Sequence, residues 1–326
     1  MKNLFCYLLL FFLLFNDNQY SQEKRNFKIH TIAFYNLENL FDTINDVNKN
    51  DEASPIMEMK FNRSNVYKKK ISNMAKVISQ IGYDYTKKSP SIVGICEVEN
   101  LNVVQDLISQ EELENENYGI VHYDSPDNRG IDVGLIYKKN IFEVKSSSSH
   151  EVIITDNNSS NRRPTRDQLV VSGLIDGELI HLIVNHWPSR GADETKRIAA
   201  AKVNNKIIDS LRSIYKNPKI ITMGDFNDDP FDKSIKKVLG AKKDRKDVGR
   251  KDMYNPFETI LVEQGIGTNA YRDKWQLFDQ IIISEDFLKK DYEDYQFFRA
   301  GVFNKSFLIN KKGKYKGYPF RSFSFG

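Results

Sequence analysis

Apolar runs, most of them rich in valine and isoleucine, recur along the chain at residues 27–35, 91–97, 131–137, 169–175, 179–185, 219–223 and 279–284, and each reads as a β-strand. Between some of them the period lengthens. Ile71, Met74, Ala75, Ile78 and Ile81 fall three or four residues apart, and Ile198, Ala201, Ile207, Ile208, Leu211 and Ile214 do so less regularly. Both stretches predict amphipathic helices covering a sheet. Strands alternate with helices in some places and follow one another directly in others. That order predicts an α/β fold in which two mixed sheets pack face to face with helices outside, a four-layer α/β sandwich. Polar stretches at 43–65, 146–168 and 241–255 carry no hydrophobic period and are too short for domains, so they are expected as surface loops around an active-site edge. No internal repeat is present.

With 326 residues, 40% apolar and 28% charged, the chain can bury a large core and is expected to form one domain. Its start differs from the rest: Lys2 precedes an apolar run at residues 4–15 that is too short to span a bilayer and has the form of a secretory signal. Residues 1–21 are therefore expected as a signal peptide and 22–326 as the domain. The mature chain would be periplasmic or extracellular, without a transmembrane segment. Of the two cysteines, Cys6 lies in this signal and Cys96 in an apolar run, which leaves one thiol and no internal disulfide. The net charge of +4 survives removal of Lys2 and Asp17; it tolerates a polyanionic substrate without requiring one. Nothing in the sequence marks an oligomer.

Polar residues stand at or just beyond the ends of apolar runs: Asn36, Glu97, His186, Asp225 and Asn227. Strand ends are where α/β folds place reacting groups. Singly, Asn36 also fits a turn, Glu97 a helix first turn, His186 a hydrogen-bonded histidine, and residues 224–230 a turn and helix cap. Jointly, the hard oxygen of Glu97, assisted by Asn36, suits Mg²⁺, which keeps several waters and meets a phosphate. Phosphodiester hydrolysis needs an in-line water, a base, and positive charge against the developing oxyanion, which carboxylates, an amide and an imidazole can supply around such an ion.

Five segments, Tyr35-Asn36-Leu37-Glu38-Asn39, Gly94-Ile95-Cys96-Glu97-Val98-Glu99, Arg129-Gly130-Ile131-Asp132-Val133-Gly134, Asn185-His186-Trp187-Pro188-Ser189-Arg190 and Gly224-Asp225-Phe226-Asn227-Asp228, resemble in sequence and order the motifs of the endonuclease/exonuclease/phosphatase family. The resemblance covers roughly residues 27 to 323. It implies a divalent-metal-dependent phosphodiester hydrolase, with Mg²⁺ the expected ion and Mn²⁺ or Ca²⁺ as substitutes. Glu97 then resembles the principal metal carboxylate and Asn36 the amide supporting metal and phosphate. Asp225 resembles the aspartate that orients or deprotonates water, Asn227 its phosphate-holding neighbour, and His186 the imidazole placed on the phosphate. Asp132, Arg190 and Arg166 are the implied substrate contacts. Asp279, in the segment Trp275–Ser284, resembles an aspartate that orients a catalytic histidine through its ring N–H. The family closes with a Ser-Asp-His tripeptide opening a last apolar strand, and this sequence has none. All five histidines, His30, His122, His150, His181 and His186, precede Asp279. A domain short of that strand is therefore expected, with Asp279 lacking its histidine.

A secreted endonuclease acting on DNA or RNA is the leading expectation, and the arginines at 162–166 can pair with backbone phosphates. A lipid-headgroup or small-molecule phosphodiesterase or phosphatase would use the same centre. It should show an exposed aromatic loop, for which Tyr315, Tyr318 and Phe320 are candidates, although their expected place is against the body. A catalytically impaired binding protein is the remaining class. The lysine-rich stretch at 304–316 is expected as solvated surface that can also meet phosphates.

Overall fold

The computed structural model of the chain describes residues 27–155, 162–291 and 293–321. The expected signal lies outside them. Strands β1 (Ile32–Leu40), β2 (Ile92–Val98), β3 (Tyr118–His122) and β4 (Asp132–Lys138) form a mixed sheet in the order β1-β2-β4-β3. A second mixed sheet takes β5 (Phe142–His150), then, after a short β6 (Ile154–Thr155) and β7 (Arg162–Arg163) pair, β8 (Gln168–Ile175), β9 (Glu178–His186), β10 (Lys219–Asp225), β11 (Ala241–Lys242) and β12 (Met253–Tyr254). A hairpin of β13 (Asn269–Tyr271) and β14 (Lys274–Gln276) precedes its last member, β15 (Asp279–Ser284). The order of this second sheet is β11-β12-β15-β10-β9-β8-β5.

Period-two alternation sorts each strand's apolar residues into separate layers. Ile92, Cys96, Val133 and Leu135 of the first sheet meet Leu182, Val184, Ile221 and Met223 of the second in the central space. Gly94 continues that inner row, and a Cβ there would lie 2.9 Å from the sulfur of Met223, so glycine sets how closely the sheets approach. Residues of the opposite parity face helices. Val93, Ile95 and Val98 pack against Ile71, Met74 and Ile78 of α1 (Arg63–Gln80) and Val103 and Leu107 of α2 (Leu101–Ile108). Across the molecule Ile183, Ile220 and Ile282 meet Ala200, Ala201, Ile207 and Leu211 of α3 (Glu194–Ile214). The expected four-layer α/β sandwich is the fold observed.

Two expected loops are partly strand. Residues 146–150 continue β5 as an edge strand, its serines bonded to β8, because backbone pairing holds an exposed edge without an apolar row. Residues 241–255 contribute β11 and β12, which extend the second sheet past β15. The strand expected at 27–35 runs instead from Ile32 to Leu40, straight through Asn36. No helix among the described residues is long and apolar enough to cross a membrane.

Candidate active site

Inner rows of four strands turn polar at the same end of the sandwich. Ile32 and Phe34 lead to Asn36 on β1, Leu182 and Val184 to His186 on β9, and Ile221 and Met223 to Asp225 on β10; antiparallel β15 begins with Asp279 and continues through Ile281 and Ile283. Sheet register sets Asp225 opposite both His186 and Asp279. The dry space between the sheets therefore ends in a polar wall drawn from both of them.

Glu97 reaches this wall by another route. Cys96 faces the inner layer and Val98 the helices, so Glu97 is an extra residue in the alternation, with φ of 58° at a register shift between them. Strand β1 carries a matching irregularity between Asn36 and Leu40, where Glu38 and Asn39 have φ of 49° and 55°. Lys70 of α1, almost wholly buried, donates its ammonium to the carbonyls of Glu38 and Asn39 and so holds that turn. Burial above all pushes the Lys70 pKa down to about 7.

Asn36 joins the two sheets. Its Nδ2 donates to Glu97 Oε1 at 2.9 Å and to Asp225 Oδ2 at 3.0 Å, while its Oδ1 accepts the Glu38 N–H at 2.8 Å. The Asn39 N–H caps Glu97 Oε2 at 2.9 Å, and the Asn227 N–H caps Asp225 Oδ1 at 2.9 Å. Asn227, itself at φ of 50°, is anchored by Nδ2 on the Trp187 carbonyl at 3.0 Å. His186 Nε2 stands 3.7 Å from Glu97 Oε1.

Three carboxylates thus share one desolvated space. Burial, then the charges of Asp279 and Glu97, pushes Asp225 up to about 8; burial, opposed by a Thr268 hydrogen bond, carries Asp279 to about 6. Burial and the neighbouring Arg166 guanidinium hold His186 well below its usual range, so its imidazole is neutral. Three buried polar atoms here have no hydrogen-bond partner: His186 Nδ1, Asp279 Oδ1 and Arg166 Nε. Glu97, His186 and Asp225 offer ligand atoms all within 4.8 Å of one another, so their chemistry and spacing fit a divalent cation.

Other anticipated residues lie around this core. Arg166 is buried, with its guanidinium on Asp127 Oδ2 at 3.2 Å and the Trp187 carbonyl at 2.6 Å, whereas Arg162 and Arg163 are exposed on β7. Arg190 bonds the Asn227 carbonyl at 3.1 Å and Asp229 at 3.0 Å and lies over the Phe278 ring. Asp132 stands apart from the carboxylate triad: Ser125 occupies its Oδ1 and His122 its Oδ2, beside Asp124. Asp279 bonds no histidine among the described residues; its N–H donates to the Thr268 hydroxyl at 3.4 Å and its Oδ1 has no partner. Sequence reasoning passed over Lys70, although a cation one residue before Ile71 and four before Met74, on an apolar helix stripe, was a readable signal.

The model of the Endonuclease/Exonuclease/phosphatase family matches residues 31–326. Among solved structures, an endonuclease/exonuclease/phosphatase family protein from Bacteroides thetaiotaomicron matches at 16% identity over 78% of this chain and 82% of that one, with a TM-score of 0.50. A mannosyl-6-phosphatase from the same bacterium matches at 16% identity over 78% of this chain and 85% of that one, again with a TM-score of 0.50. At these identities the likeness is one of fold. No curated protein matches in sequence.

Proposed function

This chain belongs to the endonuclease/exonuclease/phosphatase family, whose members hydrolyse phosphoesters, and from that premise we propose that it is an exported, divalent-metal-dependent phosphodiester hydrolase that cuts nucleic acid. The observation that carries this reading is the set of Glu97, Asp225 and Asp279 at the buried strand ends, the first two bridged by Asn36 and Asp279 opposite Asp225 in the sheet, with unpartnered polar atoms around it. Isolated carboxylates do not stay charged in such a space unless a cation joins them.

Glu97 would be the principal ligand of the ion, with Asp225 and His186 bounding the same space, and the bound ion would supply Lewis-acid charge against the phosphate. Asp225, held by Asn36 Nδ2 and the Asn227 N–H, orients a water and takes its proton, a role for which the bound cation would keep it ionised. His186, neutral, turns Nε2 toward Glu97, where its imidazole borders the space a phosphate oxygen would enter. Arg166 stands behind it as a fixed positive charge. Asn227, Arg190 and Asp279 complete the wall, and residues 1–21 supply export.

Incubating the full chain with plasmid, single-stranded DNA and RNA in Mg²⁺, then in chelator, tests the reading. Metal-dependent cleavage of at least one polymer is expected. Release of phosphate or phosphocholine from small esters, with every polymer left intact, would refute the nuclease reading in favour of a small-substrate enzyme.

A further inference from the structure

Beside the hairpin β13–β14, Trp275 on one hairpin face adjoins the exposed rings and cations of residues 304–321, while Tyr271 and its cross-strand partner Lys274 project from the other face. Tyr271, Trp275, Tyr315 and Phe320 expose 59%, 41%, 57% and 59% of their surface. Tyr318 links Trp275 to Tyr315, its ring centroid 6.3 Å from the first and 5.9 Å from the second. Its hydroxyl accepts the Asp273 N–H at 2.9 Å and donates to the Asp273 carboxylate, tying residues 304–321 to the hairpin. Arg272 lies over Tyr271 and Lys314 over Tyr315. Residues 269–276 and 304–321 hold eight lysines and arginines against one carboxylate, Asp273. Of those cations, Lys305 and Arg321 are paired with Asp84 and Glu38.

This face borders the carboxylate site. The hairpin ends at Gln276, three residues before Asp279, and Leu277 is fastened by its N–H to Asp229 at 2.8 Å. Arg321 meets Glu38, two residues beyond Asn36.

We propose that this face is a platform for single-stranded nucleic acid, with bases stacked on the rings and phosphates on the cations, leading the strand into the hydrolytic centre; it rests on the hydrolase reading above. Ring faces this exposed need unpaired bases to cover them, and every base has a face to offer. A surplus of cations supplies the charge complementarity that a polyphosphate chain requires. Among the described residues every large apolar side chain exposed between 269 and 321 is aromatic.

Intrinsic fluorescence reads the platform directly, because the chain has two tryptophans and Trp187 is buried. In chelator and low salt, a thymidine 20-mer titrated into the full chain is expected to quench Trp275 emission. Binding should weaken about tenfold in Tyr315→Ala and again in Lys314→Glu, with circular dichroism confirming that each variant is folded. It should also fall steeply with salt and be at least tenfold weaker for the same length of duplex. No quench with the 20-mer, equal affinity for duplex, or a blue shift with anionic phosphatidylserine vesicles in place of the quench would overturn the proposal. Hydrolysis of bis(p-nitrophenyl) phosphate by the unaltered chain in Mg²⁺ keeps the two readings apart: turnover without oligonucleotide binding removes the platform alone, and no turnover of any ester removes the hydrolase.

Discussion

With the metal removed, the unaltered chain should lose stability relative to Asp225→Asn as pH rises. Asp225 has an ordinary carboxyl pKa in the unfolded chain and one pushed to about 8 when folded, so between those values the folded state binds the extra proton. The stability this contributes is complete below the unfolded pKa and is lost as pH rises through about 8. From pH 6.5 to 8.5 the loss spans about 1.5 pKa units, or about 2 kcal/mol, and about 3 °C in Tm for a chain of this size. Two groups act in the opposite direction. His186, held neutral, gains relative stability as pH rises through the ordinary histidine range, and Lys70, with its pKa lowered to about 7, gains from there up to the ordinary lysine range. Both persist in Asp225→Asn, so the difference between the two proteins isolates the carboxylate. The assay is thermal unfolding of each in chelator at pH 6.5 and 8.5. The unaltered chain should lose about 3 °C relative to the variant across that interval. Saturating Mg²⁺ should abolish the difference by holding the carboxylates ionised. A relative change of zero or of opposite sign would refute the electrostatic account of the site.

Three further perturbations probe other parts of the argument. Glu97→Gln keeps the shape and removes a ligand charge: phosphodiester turnover should fall at least about 10²-fold, and calorimetric titration should show weakened Mg²⁺ binding. Asn36→Ala frees both carboxylates and the Glu38 N–H at once, so kcat should drop about 10- to 100-fold with a loss of about 1–3 kcal/mol in urea unfolding; unchanged kcat would remove Asn36 from the positioning role. Gly94→Ala drives a methyl against the Met223 sulfur at 2.9 Å and the Phe34 ring at 3.2 Å, and should cost about 1–3 kcal/mol by the same urea assay, read with metal bound.

The layers were legible because burial and alternation are local facts of the chain. Ile221, Met223 and Asp225 display in sequence both the inner row and the residue that ends it, and Leu182, Val184 and His186 do the same. Glu97 was visible as a polar residue at an apolar run, but its direction was not. Strict alternation from Cys96 would send it toward α1 and α2, and only the bulge, a consequence of pairing with β4, turns it to the site. Residues 146–150 escaped for a related reason: Ser146, Ser147, Ser148 and Ser149 have no apolar row, and their strand exists through bonds to β8. Asp132 shows the limit of motif position. It lies on the right strand, directly opposite Val98, yet Ser125 and His122 take up its oxygens.

Conformational cost gathers where charge cost gathers. Glu38, Asn39, Glu97 and Asn227 all adopt left-handed backbone without being glycine. Asparagine tolerates that region, but each glutamate costs about 1 kcal/mol or more there. Packing alone does not account for this choice, since a glycine at either bulge would relieve the strain. What the strain produces is direction: the turn at Glu38 and Asn39 presents an N–H to Glu97, the turn at Glu97 brings its carboxylate to Asn36, and the turn at Asn227 presents an N–H to Asp225. Those hydrogen bonds all favour ionised carboxylates, while burial and mutual repulsion disfavour them. The two tendencies oppose each other in the bare chain and agree once a cation enters. A site strained into holding negative charges together is one whose energy minimum includes the positive charge, which is the physical reason to expect metal-dependent chemistry from this edge of the fold.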